Sequence, residues 1–194
     1  MTVAYIVVGS DVVLLIWTAF AFNGLIKAHN QVEESWSGID VQLKRRHDLV
    51  PNLVETVGAY AEHEQSVLRA VAESRDDAAL SSGRRGRQAA EHELSQAIVG
   101  LRALSERYPD LRASEQYRRL QAQLAEVEGE IQYARRIYNA NVQRYNSRLR
   151  GFPGSLVRRL GGYRPTGYFE LSPVRLDDAA EPRPPAAGRT AAVA

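Results

Sequence analysis

The sequence predicts an all-α protein: an N-terminal transmembrane helix, an antiparallel four-helix bundle and a disordered C-terminal tail. Three observations carry that expectation. Residues 3–22 are apolar at sixteen of twenty positions. Apolar residues then recur at steps of three and four over most of residues 25–150. No segment alternates with the period of two that a half-buried strand requires. Three units follow: an anchor over 1–24, a helical body over 25–170 and a tail over 171–194.

Twenty helical residues reach ~30 Å, the thickness of a hydrocarbon core. Asp11 interrupts the apolar run, at a cost of roughly 2.5–3.5 kcal/mol for a mid-membrane acid. Eleven Val, Leu, Ile and Phe residues offset it with about −3 to −7 kcal/mol. Ala19-Phe20-Ala21 has the form that signal peptidases cleave. No Lys or Arg precedes the run, and the run is long enough to cross a bilayer, so an uncleaved signal-anchor is expected.

In the body, Leu25, His29, Val32, Trp36, Ile39, Leu43, Arg46 and Val50 form a coiled-coil-like heptad seam, polar at His29 and Arg46. Asp48 followed by Pro51 predicts a helix stop and restart, with Asp48 capping a second helix over 51–80. Asp40, four residues before Lys44, can pair with it. The stretch 81–87, with three arginines and two glycines, predicts a flexible basic loop. A third helix is expected over 88–107, carrying Leu94, Ile98, Leu101 and Leu104, and Tyr108-Pro109-Asp110 interrupts it. The fourth and longest runs over 114–150, with Tyr117, Leu120, Leu124, Val127, Ile131, Ala134, Tyr138, Val142, Tyr145 and Leu149 on one face. Short connections between long amphipathic helices imply antiparallel neighbours. The tail holds four of the eight prolines and seven alanines, and cannot bury a core.

Residues 36–63, WSGIDVQLKRRHDLVPNLVETVGAYAEH, resemble the signature of the LemA family of bacterial membrane-anchored helical proteins. Further matching stretches are ERYPDL at 106–111, ARRIYN at 134–139 with Tyr145-Asn146, and Phe152-Pro153 followed by Phe169-Glu170. The resemblance implies a transmembrane segment and an antiparallel helical bundle, and no established enzymatic activity. The Tyr-Asn pairs, Asp40, Arg45, Arg46 and Asn52 belong to these motifs. Asn139 and Asn146 stand a heptad apart, as residues repeating one role along a seam do.

Most chemistries find no support. The absence of cysteine excludes disulfides, thiolate nucleophiles and Cys-ligated metals. A net charge of +2 is too small for binding nucleic acid by bulk charge, and no nucleic-acid module is present. Neither His63-Glu64 nor His92-Glu93 is followed by the second histidine of a zinc-protease helix, and no Glu-x-x-His pair suggests a di-iron bundle. No phosphate loop, nucleophile elbow or dinucleotide fingerprint occurs, and no cofactor is implied. The expected function is therefore a single-pass membrane protein with a non-enzymatic interaction or scaffolding domain. The alternative is a metal-dependent or catalytic bundle built on the His63/His92 region.

An up-down-up-down bundle would gather Arg84, Arg85, Arg87, Arg148, Arg150, Arg158 and Arg159 at the membrane end, around Phe152 and a short amphipathic stretch. These are the candidate membrane-surface contacts, with lipids as partners. A protein partner is expected as well, and the heptad seams also allow self-association. No basic residue precedes the anchor, whereas Lys27, Lys44, Arg45 and Arg46 follow it, so the positive-inside rule places the body in the cytoplasm. Members of the family with a lipoprotein-type N-terminus point to the opposite side.

Overall fold

The computed structural model describes residues 2–152, 154, 155, 158 and 162–170, with backbone alone at 2–4, 6 and 7. Five helices account for most of them: α1 (Thr2–Gly58), α2 (Gln65–Leu80), α3 (Gly83–Ser105), α4 (Pro109–Ala113) and α5 (Glu115–Arg150). No described residue is in a strand. The expected tail over 171–194, with Arg159, lies outside the described residues.

The first half of α1 is long and apolar enough to cross a membrane. Val8, Val12, Leu14, Ile16 and Phe20 are all exposed on it and belong to no core. From Leu25 onward the same helix buries a seam. Leu25, Val32, Ile39, Leu43, Arg46 and Val50 are buried, and His29 and Trp36 half-buried, as the heptad spacing predicts.

The expected stop at Pro51 does not occur: α1 runs through it to Gly58, and Asp48 caps nothing. A proline inside a helix removes the hydrogen bond to the carbonyl four residues back, here that of His47. Arg75 of α2 supplies the missing donor, its Nε lying 3.3 Å from the His47 oxygen. Val50 and Leu53, on either side of the proline, are buried and hold the helix in place. The chain turns instead over residues 59–64, where backbone bonds such as Ala61 N–H to Val57 O close the reversal.

The basic loop is likewise shorter than expected. Only Ser81 and Ser82 connect α2 to α3, and Gly83 to Arg87 are already helical. Gly83 makes the tight reversal possible with φ of +72°, where a Cβ would be strained. Pro109 starts α4, and the Ser114 hydroxyl caps α5 by accepting from the Tyr117 amide.

Helix α5 runs antiparallel to α1 along the whole body. Gln116 donates to Thr56 at one end, Asn141 to the Gln31 carbonyl in the middle, and Arg148 to the Gly24 carbonyl at the other. The core is divided in two. In the far half, away from the apolar segment, α1, α2, α3, α4 and α5 share one cluster that includes Val57, Val71, Leu101, Leu111 and Leu120. In the near half the buried cluster comes from α1 and α5 and takes in Phe169 from the extended segment 162–170.

Candidate functional site: a clamped strap and a buried ion cluster

The Tyr-Asn motifs of α5 hold the extended segment 162–170 as a strap. The Asn139 side-chain amide bonds both backbone groups of Phe169: its Nδ2 donates to the oxygen at 3.1 Å, and its Oδ1 accepts from the N–H at 2.9 Å. Asn146 does the same to Thr166, at 2.8 and 3.0 Å. The Tyr138 hydroxyl donates to the Gly167 carbonyl at 3.1 Å and the Tyr145 hydroxyl to the Arg164 carbonyl at 3.0 Å.

Each pair of contacts couples seven residues of helix to three of strap. Seven helical residues rise ~10.5 Å, and three extended residues span roughly 9–10 Å, so the two repeats match. The heptad spacing of Asn139 and Asn146 is thus the pitch of an extended backbone lying antiparallel on the helix. These bonds recognise main chain and are indifferent to side chains.

Aromatic packing completes the strap. The Phe169 ring is buried edge-on against Trp36, 5.2 Å between centroids, and Trp36 also meets Tyr138. Tyr163 packs against Phe22 and His29. Burial raises the hydroxyl pKa of both Tyr138 and Tyr145, which keeps each O–H available as a donor.

The far half contains a second polar feature. Arg46, fully buried, makes a salt bridge to Glu91 of α3, reaches Glu128 of α5 at 2.8 Å and the Ser95 hydroxyl at 3.1 Å. The neighbouring His47 meets the other Glu91 oxygen at 2.7 Å. Burial opposes the charge on Glu91. The hydrogen bond to His47 and the charges of Arg46 and His47 outweigh it, so the carboxyl is held below its usual range. The cluster ties α1, α3 and α5 in one register; Arg46, His47 and Glu91 are buried, and Glu128 closes it at the surface.

The sequence suggested Arg46 as a polar seam position but did not point to Glu91. Its signal was present: Glu91 stands three residues before Leu94, on the same seam as Ile98, Leu101 and Leu104. A carboxylate in one seam and an arginine in the facing one is a buried pair.

The structure separates the candidate membrane-surface residues. Arg84 pairs with Glu33 at 2.7 Å and stacks over Trp36, and Arg87 pairs with Asp40 at 3.1 Å. Asp40 therefore pairs with Arg87 rather than Lys44. These acids lie nine and sixteen residues beyond Gly24 on α1, roughly 14 and 24 Å from the near end. Arg85 is exposed on the first turn of α3. Arg148, Arg150, Phe152 and Arg158 do gather at the near end, with Phe152 against Trp17 at 5.3 Å and Arg158 beside Tyr163.

The histidine regions are not brought together. Glu64 pairs with Arg107 at the far end, and His92 bonds Gln96 in the middle of α3, ~20 Å along that helix from its C-terminus. Among the described residues no three His, Asp or Glu side chains are grouped as metal ligands would be.

The model of the LemA family matches residues 35–181. Magnetosome protein MamQ of Magnetospirillum gryphiswaldense is 21% identical over 178 residues, covering 78% of this chain and 65% of that protein. Magnetosome proteins MamQ 1 and MamQ 2 of Paramagnetospirillum magneticum are each 23% identical over 179 residues, with the same shares covered. The chain thus spans 65% of the length of these relatives.

Proposed function

The chain belongs to the LemA family, and from that premise we propose that it is a single-pass membrane protein whose helical body is a non-enzymatic interaction platform at the bilayer surface. The observation that carries this reading is the continuity of α1, which passes without a break from an exposed apolar segment into the core of the body. A rigid helix of that kind fixes the body against the membrane instead of tethering it.

The near end supports the same reading. Phe152 is 78% exposed and rests on Trp17 of the apolar segment. Arg148, Arg150 and Arg158 stand within six residues of it in the chain, and Lys27 adds a further charge on α1. An aromatic pair with basic residues close by in the chain suits the headgroup layer, where each basic side chain contributes about 1 kcal/mol toward anionic lipid. Arg84 and Arg87 drop out of this surface because Glu33 and Asp40 hold them farther along α1. The non-enzymatic assignment draws on the buried Arg46–Glu91–His47 contacts, which are used within the body, and on the dispersed histidines. The positive-inside rule puts the body on the cytoplasmic side.

Two measurements test this. The chain has no cysteine, so Ser82→Cys gives one exposed thiol in the α2–α3 turn. Protection from an impermeant maleimide until cells are lysed is the expected result, and labelling of intact cells would move the body to the other side. A fluorophore on Phe152→Cys, in nanodiscs, is expected to be quenched by spin-labelled lipid. Quenching no stronger than at Tyr60→Cys, in the far-end turn, would remove the membrane contact.

A further inference from the structure

The strap is held along one edge only. Its bonds to α5 use the backbone of Arg164, Thr166, Gly167 O and Phe169. The amides of Gly167 and Tyr168 donate to no described residue. They border a groove of about 850 Å³ whose opposite wall is the start of α3, with Arg84, Arg85, Gln88 and His92.

That wall is electropositive for two reasons. Arg85 has no ion-pair partner among the described residues and is exposed, while Arg84 is already matched by Glu33. The first turn of α3 carries no acidic residue, and Ser82 does not cap it, so its amide groups and dipole add to the positive field. Glu170 is the one carboxylate in the lining, and the Gln96 side-chain amide meets Nε2 of His92 at 2.8 Å.

We propose that the groove between the first turns of α3 and the open edge of the strap is a docking site for an extended, acidic peptide segment of a partner protein. The peptide main chain adds to the free Gly167 and Tyr168 amides, in the way an extended ligand adds to an exposed strand edge. Its carboxylates face Arg85 and the uncapped α3 terminus. The main-chain contacts supply affinity for any extended segment, and the arginine wall selects acidic ones. This deepens the reading of the body as an interaction platform and rests on it; the maleimide and quenching measurements test the anchor separately, so either part can fail alone.

The test uses the full chain in nanodiscs of zwitterionic lipid and a fluorescent octapeptide of alternating Glu and Val. Saturable binding that weakens with salt is expected. Arg85→Glu, an exposed position outside both cores, is expected to weaken it roughly tenfold, and Arg112→Glu, on α4 at the far end, to leave it unchanged. Hydrogen exchange is expected to slow at the Gly167 and Tyr168 amides when peptide is added. Absence of binding, equal binding to Arg85→Glu, or equal loss in Arg112→Glu would overturn the proposal. Binding seen only after removal of residues 171–194 would give the groove to the chain's own tail and also overturn it.

Discussion

The two halves of the body solve the same packing problem by different means. In the far half a seam of α1 is covered by α2, α3 and α5, and a buried charge cluster fixes their register. In the near half the buried cluster comes from α1 and α5 alone, α3 reaches it only through surface arginines of its first turns, and an extended strap covers one side of the pair through backbone bonds to two asparagines and two tyrosines. The far half is therefore closed by long-range side-chain packing and resembles a domain core. The near half is closed by a short segment with half of its backbone still open. The difference teaches where exchange with another chain is possible: an edge of main chain can be shared, a buried ion pair cannot.

The sharpest way to break the far half is Arg46→Met. It leaves Glu91 buried without its main counter-charge, and a loss of roughly 3–5 kcal/mol is expected from thermal or denaturant unfolding. A loss below about 1 kcal/mol would show that the cluster does not hold the three helices. The near half is addressed by Asn139→Ala with Asn146→Ala. Four hydrogen bonds at about 0.5–1 kcal/mol each give a combined effect of roughly 2–4 kcal/mol. It is expected as faster hydrogen exchange at Thr166 and Phe169, with the main unfolding transition of the far half nearly unmoved. Equal destabilisation of both halves would erase the distinction.

pH separates them as well. Glu91 is held below its ordinary value, so the stability it contributes is complete above about pH 4.5 and is lost as the pH falls through its folded value. Melting followed from pH 6 to pH 2 is expected to drop less steeply in Glu91→Gln than in the unaltered chain, starting from lower stability. The asparagine amides and the neutral tyrosine hydroxyls of the strap do not titrate in that window. A smaller effect, about 1 kcal/mol, is expected for Arg75→Ala, which uncovers the His47 carbonyl freed by Pro51. Smallest of all is Leu80→Ser at the exposed end of α2, within about 0.5 kcal/mol.

The sequence by itself determined the helical class, the apolar N-terminal segment and the seams of α1, α3 and α5, because periodicity reports which face a helix buries. Leu94, Ile98, Leu101, Leu104 and nearly the whole α5 stripe are buried where their spacing placed them. It also marked Asn139 and Asn146 as a repeated role, without saying for what. Tertiary structure decided three things. Pro51 reads locally as a break, but the burial of Val50 and Leu53 and a donor from α2, 28 residues away, let the helix continue. Glu91 reads as surface until Arg46 and His47 stand opposite it. The strap reads as a featureless run of Gly, Pro and Tyr, since its order comes from contacts 19–30 residues distant in the chain. Local pattern fixes the faces an element offers; which neighbour satisfies a lone carbonyl, a buried charge or an extended backbone depends on what the fold brings beside it.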